Sequence, residues 1–452
     1  MGNTEHIYLR FVRFKALDNW SVSHILGMNM GFTDMFPMIP IGQIIDRCTE
    51  LVTVENEIQY KQITLKTNGG GAVLRDVKLG KDIGTKKQYA VSSGQFIMSK
   101  IDARNGAFGV VPDELDGAIV TADFPVFNVN QEKIIPQYLF LLSSTKAFAR
   151  FAQSCSRGTT NRQRIDIALF LSQRIPLPSL TEQKIIVSNY NAKIQQAEDL
   201  EKKSIQIEKD IDTYLLESLG ISQKEEVKSE EKKLFKFLKF IQFKDIDRWD
   251  CYNRELSFLS ELKESPYPLV EIGKVYNFVK RKWDKKESKF RYVEIGSVDS
   301  SNGIMFAEEM TTSKAPSRAT QKIKNGDLII GTTRPYLRKF AIVNIKYDDC
   351  VCSSGFQVVA PSNLYSVSFL YEYLKTTAAI DQMALYMSGA LYPSITSKDL
   401  KKVLMPLPPL ETQNAIVEHI NEQKTQIKQL KQQAEALRKI ALKEFEKEIF
   451  VS

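Results

Sequence analysis

In two segments of the chain, apolar side chains recur at alternating steps of four and three positions. Neither segment contains proline or glycine. They span residues 179 to about 219 and 410 to about 449. Over about four heptads this spacing predicts a helix that pairs with another helix as a coiled coil, each roughly 60 Å long at 1.5 Å per residue. A helix docked on its own globular domain is the alternative. The predicted seam residues are Ile186, Tyr190, Ile194, Ala197, Ser204, Ile207 and Ile211 in the first segment, and Ile416, Ile420, Gln423, Ile427, Leu430, Ala434, Leu437 and Ala441 in the second.

Ahead of each long helix, short apolar runs alternate with turn residues. In ITLKTNGGGAVL, an Asn-Gly-Gly-Gly turn at 68–71 separates two apolar runs, which predicts a hairpin. The later segment NGDLIIGTTRPYLRKFAIVNI predicts two strands about a polar loop, and VSFLYEYLKTTAAIDQMALYM predicts short helices. These segments predict a mixed α+β globular domain before each long helix.

The chain contains the same pattern twice. FVRFKALDNW at residue 11 recurs as FIQFKDIDRW at residue 240, a shift of 229, and IPLPSLTEQKIIV at 175 recurs as MPLPPLETQNAIV at 405, a shift of 230. In the second pair seven of the twelve positions from Pro176 to Val187 are identical, where unrelated sequences would share roughly one. The nearly constant shift predicts a tandem duplication of two modules related by a pseudo-twofold axis.

The duplication and the helices set the predicted organisation, whose fold class is α+β. We predict a first globular domain at 1–178, a central spacer helix at 179–220, a charged linker at 221–234, a second globular domain at 235–408 and a C-terminal spacer helix at 409–452. The linker sequence ISQKEEVKSEEKK is charged and nearly free of large apolar residues, which is typical of a connection between domains.

The composition is that of a folded protein. Of 452 residues 43% are hydrophobic, which is enough for packed cores. No run approaches about 18 uncharged apolar residues, and the N-terminus lacks an apolar segment before a small-residue cleavage site, so we expect no membrane span and no secretory signal. The five cysteines include no CxxC pair, which favours reduced thiols and a cytoplasmic location. The net charge of +8 is compatible with a polyanionic partner.

Motifs of common catalytic sites are absent from the sequence. Only three histidines occur, His6, His24 and His419, far apart in the chain, which gives little support to a metal site or a histidine-activated nucleophile. No P-loop, HExxH motif or methyltransferase tetrapeptide occurs. Asp113 and Glu114 resemble a nuclease carboxylate pair, but a solvated turn explains them as well. We therefore predict no catalytic residue and no metal ligand.

Basic and polar clusters occur instead, and in the second module they form two groups. Residues 274–291 hold eight Lys or Arg residues against two acids, with aromatic residues between them. The loop 331–339 combines guanidinium groups, hydroxyls and an aromatic ring. These side chains suit nucleic acid, because cations and hydroxyls hold phosphates and Arg pairs with base edges, although a solvated charged face is the ordinary alternative. The candidate DNA-binding residues of the second module are Lys280, Arg281, Lys282, Thr332, Thr333, Arg334, Tyr336, Arg338, Lys339 and Tyr392.

The first module carries its cluster at matching places but with other side chains. The stretch 156–164 has three arginines and no acid, and its counterpart in the second module is 388–394. The counterpart of the loop at 331–339 is 99–105. One scaffold with different loops is what recognition of two different short sequences requires. The candidate DNA-binding residues of the first module are Lys100, Arg104, Arg157, Thr159, Thr160, Asn161, Arg162 and Arg164.

With these features the sequence resembles the specificity (S) subunits of type I restriction-modification systems over nearly its whole length. The signature PLPPLxEQ at the head of each helix is matched by 176–183 and 406–413, and the second copy departs from it with Glu411 and Thr412 before the glutamine. A GD-[LI]-[LI] strand before an Arg-bearing loop is matched by 326–329 and loosely by 94–97. The signature residues carried over are Pro176, Pro178, Glu182, Gln183, Pro406, Pro408 and Gln413.

The resemblance implies a subunit without an active site of its own. Two target-recognition domains would each bind one half of a split double-stranded DNA target, held apart by two antiparallel spacer helices. Two methyltransferase (M) subunits and two restriction (R) motor-nuclease subunits would be the partners. The chain itself would bind no cofactor, whereas S-adenosylmethionine, ATP and Mg²⁺ would belong to those partners.

Two other functions remain open from the residues. One is a stand-alone nuclease or methyltransferase with an unrecognised active site. The other is a coiled-coil scaffold that carries two peptide-binding modules. Purified protein that cuts or methylates DNA alone would favour the first, and absence of DNA binding would favour the second.

Overall fold

The computed structural model describes residues 32–33, 35–157, 164–221, 262–389 and 392–450. The repeated segments at 11–20 and 240–249, and the predicted linker at 221–234 apart from Ile221, lie outside these residues. The chain divides into two compact units, unit 1 (Met1–Glu201 with Gln432–Ser452) and unit 2 (Lys202–Lys431). The predicted domain boundaries at 178, 234 and 408 stay predictions.

Unit 1 contains two main β-sheets, whose strands pair mostly antiparallel, together with short helices. Its strands are β1 (Met38–Pro40), β2 (Ile45–Cys48), β3 (Leu51–Thr53), β4 (Gln59–Lys66), β5 (Gly71–Leu79), β6 (Lys87–Ala90), β7 (Phe96–Met98), β8 (Phe108–Val110), β9 (Ile119–Val120), β10 (Val126–Val129), β11 (Ser156–Arg157), β12 (Arg164–Ile165) and β13 (Arg174–Pro176). Its short helices are α1 (Pro136–Ser143), α2 (Lys146–Ser154) and α3 (Ile167–Ser172). The first long helix is α4 (Leu180–Ser218).

Unit 2 has a closely similar set of elements. Its strands are β14 (Leu269–Glu271), β15 (Phe278–Val279), β16 (Lys289–Val293), β17 (Val298–Asp299), β18 (Gly303–Ile304), β19 (Glu308–Thr311), β20 (Ala319–Lys322), β21 (Leu328–Gly331), β22 (Phe340–Ile342), β23 (Val351–Ser353), β24 (Phe356–Val359) and β25 (Leu404–Pro406). Its short helices are α5 (Ile272–Val275), α6 (Val367–Leu374), α7 (Thr377–Tyr386) and α8 (Ser397–Leu400). The second long helix is α9 (Leu410–Ile449).

The duplication seen in the sequence extends to the sheet topology. The sheet order β2-β10-β7-β8 in unit 1 matches β15-β24-β21-β22 in unit 2. The strands β6-β9-β4-β5 match β20-β23-β16-β19, and in each set one pair, β4 with β9 or β16 with β23, is parallel. In both units the strand before the long helix, β13 or β25, pairs with the first strand of the unit, β1 or β14. The predicted α+β repeat is confirmed.

Both predicted hairpins are present. β4 and β5 pair antiparallel across the 67–70 turn, where Asn68 has a left-handed φ of 56°. Asparagine tolerates this conformation better than most side chains. β21 and β22 pair antiparallel from Leu328 opposite Ile342, with the polar loop between them.

Aromatic side chains form the core that supports the central sheet of unit 1. Phe96 of β7 stacks on Phe108 of β8, with ring centroids 5.9 Å apart, and Phe148 of α2 meets Phe108 edge-on at 5.3 Å. All three rings are fully buried. In unit 2 Phe340, Phe369 and other apolar residues form the corresponding core. Each unit therefore holds β7 or β21 rigidly, and with it the loop that follows.

The two long helices pair antiparallel. In unit 1 Glu201 accepts from Arg438 (Nη2 to Oε2, 2.9 Å), while Lys193 Nζ lies 2.7 Å from Glu444 Oε2, so position numbers rise along α4 as they fall along α9. In unit 2 Lys431 Nζ lies 3.5 Å from Glu208 Oε2. All of the predicted seam residues, with Gln423, are buried or half-buried. The coiled-coil prediction is confirmed, and Ala197, Ser204 and Ala434 give it a close, weakly apolar seam.

The C-terminal end of each long helix completes a core made by the other half of the sequence. Leu215 and Leu216 of α4 are buried in the unit 2 core with Phe369. Phe445 of α9 is buried in the unit 1 core, where its ring lies 6.2 Å from that of Tyr138. Burial of these side chains stabilises each unit only when both long helices are present.

None of the helices in the described ranges is long and apolar enough to cross a membrane.

Candidate nucleic-acid interface

Each unit carries a turn between the two adjacent strands of its central sheet. In unit 1 a 3-10 turn, Ala103–Asn105, joins β7 to β8, and in unit 2 the turn Pro335–Leu337 joins β21 to β22. The residue after each turn, Gly106 or Arg338, is left-handed with φ of 75° or 51°. The two turns therefore occupy the same place in the repeated scaffold.

A second arm meets each turn through the same backbone hydrogen bond. In unit 1, β11 and β12 form a short hairpin, and the Ile165 N–H donates to the Lys100 carbonyl (2.9 Å). In unit 2 the 388–394 loop is closed by a bridge between Ser388 and Ser394, and the Ile395 N–H donates to the Thr332 carbonyl (3.0 Å). We refer to the turn and this second arm together as the two-armed site of each unit.

The two-armed site of unit 1 brings together Lys100 and the second arm. Arg164 at the base of the hairpin lies 3.2 Å from Asp123, whose carbonyl accepts from the Lys100 N–H. Arg104 lies half-buried within the turn. The predicted residues Thr159, Thr160, Asn161 and Arg162 lie outside the described residues, and the backbone of Arg157 lies in β11.

The two-armed site of unit 2 brings together most of the predicted residues. The Arg334 N–H donates to the Pro393 carbonyl (2.7 Å), and the Arg334 guanidinium lies 5.0 Å from the centre of the Tyr392 ring. Thr333 forms a bridge with Ser394. The Thr332 hydroxyl donates to the Gly355 carbonyl (2.8 Å). The side chain of Thr332 thus anchors the loop, whereas Arg334 is half-buried and Tyr392 is exposed.

The remaining predicted residues of this loop surround its tip. Tyr336 is 47% exposed, and Arg338 and Lys339 are half-buried. The Lys339 carbonyl accepts from the Gly331 N–H (3.0 Å), which closes the base of the loop.

Among the described residues, no contact joins the basic group at 280–282 to this loop. Arg281 forms a double hydrogen bond with Asp327, a fully buried carboxylate that precedes β21, whereas the two-armed site follows β21. At about 3.3 Å per residue the two places are roughly 15 Å apart along the strand. Lys280 and Lys282 are exposed. The nearby aromatic ring of Trp283 is buried in a small core with Phe290, so it is structural rather than free to stack on bases.

The signature residues at the helix starts have structural roles. Gln183 and Gln413 are fully buried, and each side chain ties the start of its long helix to the residue just before α1 or α6. Glu182 and Ser179 form a capping box, in which the Ser179 N–H donates to Glu182 (2.8 Å). These hydrogen bonds hold the pKa of Glu182 below its usual value. Pro176 and Pro406 end the strands β13 and β25, and the carbonyls of Pro178 and Pro408 accept from Gln183 and Gln413.

Sequence reasoning missed several residues of the site. Leu337 is 44% exposed beside Tyr336 at the tip of the unit 2 turn, and Asn105 is its exposed equivalent in unit 1. A comparison of the two modules contained the signal, because Asn105 and Leu337 occupy matching positions in the 99–105 and 331–339 loops. Asp123 gave no signal, because its pairing with Arg164 depends on the tertiary fold.

Among the cysteines of the described residues, Cys155 and Cys352 are buried thiols. Burial raises the pKa of the Cys155 and Cys352 thiols to about 12, so both are protonated at neutral pH. Within the same ranges, no group of three or more His, Cys, Asp or Glu side chains is arranged to hold a metal ion.

The chain resembles known proteins over both halves. The model of the family described as "Type I restriction modification DNA specificity domain" matches residues 47–209 and 264–438. The Type I restriction enzyme HindI specificity subunit of Haemophilus influenzae is 33% identical over 110 residues, a match that spans 24% of this chain and 24% of the relative.

Solved structures are similar over most of the chain. A chain from a structure that addresses complex assembly and conformational transition of the type I R-M system matches 92% of this chain and 98% of its own length, at 19% identity and a TM-score of 0.54. The crystal structure of the HsdS subunit from Thermoanaerobacter tengcongensis covers 92% of this chain and 96% of its own, at 18% identity and a TM-score of 0.45. The first of these supports the fold. Because the family model matches two segments that make up more than half of the sequence, the chain belongs to the family of type I restriction modification DNA specificity domains.

Proposed function

We propose that this chain is the non-catalytic specificity subunit of a type I restriction-modification complex and that each unit binds one half of a bipartite DNA target. The observation that carries the proposal is the two-armed site, which is built twice on one topology with different side chains. A single repeated reader would recognise two identical half-sites, whereas two readers with different loops recognise two different ones.

The residues of each site divide by chemistry. In unit 1, Lys100 and Arg164 supply cations, and Arg104 lies on the turn. In unit 2, the Arg334 guanidinium at the start of the turn lies over the Tyr392 ring. Lysines contact phosphates, while Arg and Asn pair with base edges. We propose the following DNA contacts: Lys100, Arg104, Arg157, Thr159, Thr160, Asn161, Arg162 and Arg164 in unit 1, and Lys280, Lys282, Thr333, Arg334, Tyr336, Arg338, Lys339 and Tyr392 in unit 2.

Two predicted residues fit a positioning role better than a direct contact. Arg281 already pairs with the buried carboxylate of Asp327, and the Thr332 side chain already donates to a backbone carbonyl. Releasing Arg281 to bind DNA would leave the buried Asp327 carboxylate without its ion pair, which is costly. Thr332 is fixed to the Gly355 carbonyl by both its hydroxyl and its backbone N–H. We propose that Arg281 anchors the start of β21 and that Thr332 anchors its end, before the loop that presents Arg334.

The partners of the proposal are two methyltransferase subunits and two restriction subunits, which would bind S-adenosylmethionine, ATP and Mg²⁺ in a cytoplasmic complex. Equivalent shallow grooves on the long helices suit two copies of one partner, since six lining positions of one match six of the other at a constant shift of 230 residues. We propose that one methyltransferase subunit docks at each groove. The matched lining residues are Lys184, Val187, Ser188, Asn191, Ala192 and Gln195 on α4, and Asn414, Val417, Glu418, Asn421, Glu422 and Thr425 on α9.

The docking proposal is tested by counting bound subunits. Asn191 and Asn421 are exposed in the two grooves. Native mass spectrometry of the reconstituted complex should show two methyltransferase subunits on the unmodified chain, one on Asn191→Arg or Asn421→Arg, and none on the double variant. Two bound subunits on the double variant would contradict these docking sites.

The recognition proposal is tested by mapping methylated adenines in a host that carries the complete system. We expect one bipartite motif. Arg334→Ala should relax one half of that motif by about 1–3 kcal/mol and leave the other half unchanged, as for loss of a base-reading arginine. Lys428→Ala, which removes an exposed lysine of α9 outside the two-armed site, is the matched control and should leave both halves intact.

Other outcomes would support a different function. DNA cleavage or methylation by the purified chain alone would identify an enzyme. If the reconstituted complex fails to bind duplex DNA with a steep dependence on salt, the scaffold alternative is favoured.

A further inference from the structure

The turn at the tip of the unit 2 site has an unusual backbone. Arg334 (φ 50°, ψ 61°) and Arg338 (φ 51°, ψ 39°) both adopt the left-handed conformation at its two ends. Side chains other than Gly and Asn seldom adopt it, and such residues concentrate at functional sites. In unit 1 the equivalent positions hold Asp102, with an ordinary φ of −99°, and Gly106, which is left-handed without penalty. The unit 2 turn is therefore strained where its counterpart is not.

Several hydrogen bonds hold this strained turn in one conformation. The Arg334 N–H donates to the Pro393 carbonyl (2.7 Å), and the Leu337 N–H donates to the Arg334 carbonyl (2.9 Å). Pro335 is buried beneath the turn and fixes its own φ. The turn thus presents its two remaining side chains in a fixed direction, which reduces the entropy lost on binding.

Those two side chains, Tyr336 and Leu337, are large, apolar and 47% and 44% exposed. Tyr392 of the second arm, 71% exposed, adds a third apolar surface nearby, under the Arg334 guanidinium. Cations at Arg334, Arg338 and Lys339 flank the tip. An apolar tip beside cations fits a duplex, because Arg338 and Lys339 can hold phosphates while Arg334 and the tip reach the bases.

The apolar group that a duplex offers to such a tip is the C5-methyl of thymine in the major groove. From the strained turn, its anchors and its exposed apolar tip, we infer that Tyr336 and Leu337 select thymine by contact with its methyl group in the half-site read by unit 2. This inference rests on the proposed function.

The equivalent turn of unit 1 predicts a different readout. Its corresponding residues are Arg104 and Asn105, whose guanidinium and amide groups match guanine and adenine edges. The two units thus place an apolar tip and a polar tip on the same scaffold, and only the half-site of unit 2 should depend on a thymine methyl.

The test uses the full chain assembled with its methyltransferase subunits. Duplexes that carry the selected bipartite target are first obtained from a random-sequence library. Each thymine of the target is then replaced in turn by deoxyuridine, which lacks the methyl group but keeps the same hydrogen-bonding edge. Affinity is measured by fluorescence anisotropy at one fixed salt concentration.

We expect the deoxyuridine substitution to weaken binding about fourfold per buried methyl at one or two positions of a single half-site. With Leu337→Ala or Tyr336→Ser the difference between thymine and deoxyuridine at those positions should disappear. The matched control is Ile345→Ala, which removes a 75% exposed apolar side chain of unit 2 outside the two-armed site and should keep the full difference.

The outcomes separate this inference from the proposed function. If a bipartite target is selected but no deoxyuridine substitution weakens binding, or the variants keep the difference, the thymine contact is refuted while the proposed function stands. If no sequence is selected at all, the proposed function itself fails. The deoxyuridine series on the unmodified chain needs no variant to fold.

Discussion

Replacement of Gln183 by alanine is the sharpest test of how the signature at the helix start works. The Gln183 side chain is fully buried and makes three hydrogen bonds to backbone groups. Its Oε1 accepts from the Ile135 N–H (2.8 Å), and its Nε2 donates to the carbonyls of Lys133 (3.0 Å) and Pro178 (2.8 Å). The side chain therefore joins the start of α4 to the start of α1.

The magnitude follows from the partners that alanine leaves behind. One N–H and two carbonyls would lose their partner in a site closed to water, at about 1–3 kcal/mol each. At the lower end for each group, Gln183→Ala should reduce the free energy of unfolding of unit 1 by about 3 kcal/mol. Gln413 makes two such bonds, to Ser366 N–H (2.9 Å) and the Pro408 carbonyl (2.8 Å), so Gln413→Ala should cost unit 2 about 2 kcal/mol.

Hydrogen exchange followed by mass spectrometry is the suitable assay, because it reports each unit separately. Peptides that cover 133–143 and 178–190 should exchange about a hundredfold faster in Gln183→Ala, since 1.36 kcal/mol corresponds to a factor of ten. Gln196→Ala is the control, as Gln196 is an exposed residue of the same helix. Equal exchange in Gln183→Ala and Gln196→Ala, or a larger effect of Gln413→Ala than of Gln183→Ala, would refute the reasoning.

Two further predictions concern charged side chains. Arg281→Met leaves the buried carboxylate of Asp327 without its ion pair and should destabilise unit 2 by about 3 kcal/mol, measured by urea unfolding. Lys280→Met should leave the stability unchanged but lower the salt slope of DNA binding by about 1. The reverse pattern would contradict these roles. The hydrogen bond from Arg438 lowers the pKa of Glu201. The pair therefore stabilises the folded state fully at pH values above the ordinary glutamate pKa of about 4.3, and this contribution is lost as the pH falls through the lower pKa of the folded state. Because both side chains are about 40% exposed, Glu201→Gln should cost less than about 1 kcal/mol at pH 7 and should remove that pH dependence, whereas a larger loss would show that the seam depends on this pair.

Much of the fold was predictable because its signals are local. The steps of four and three from Ile186 to Ile211 predicted the buried stripe of α4, and the Asn-Gly-Gly-Gly turn at 68–71 predicted the hairpin of β4 and β5. The constant shift between the modules predicted one topology used twice. Each of these depends on residues close together in sequence, or on comparison of the chain with itself.

The site was predictable only in part, for a physical reason. Loop residues such as Arg334 and Tyr392 were identified from their chemistry, and the fold does bring them together. Arg281 had the same chemistry, yet its guanidinium is held by Asp327, a partner 46 residues away. A charge that is paired with a buried carboxylate is costly to release to a ligand, and such a partner cannot be identified from composition.

The sequence by itself determined the duplication, the two long helices, their seam and the places where the two modules differ, because periodicity and self-similarity are properties of the chain alone. The tertiary structure alone decided that the end of each long helix is buried in the core of the other half, with Leu215 in unit 2 and Phe445 in unit 1. It also decided that Gln183 and Gln413 are structural ties and that a strained turn exposes Leu337. These features depend on contacts between residues far apart in sequence, where burial and hydrogen bonding, rather than local pattern, select the arrangement.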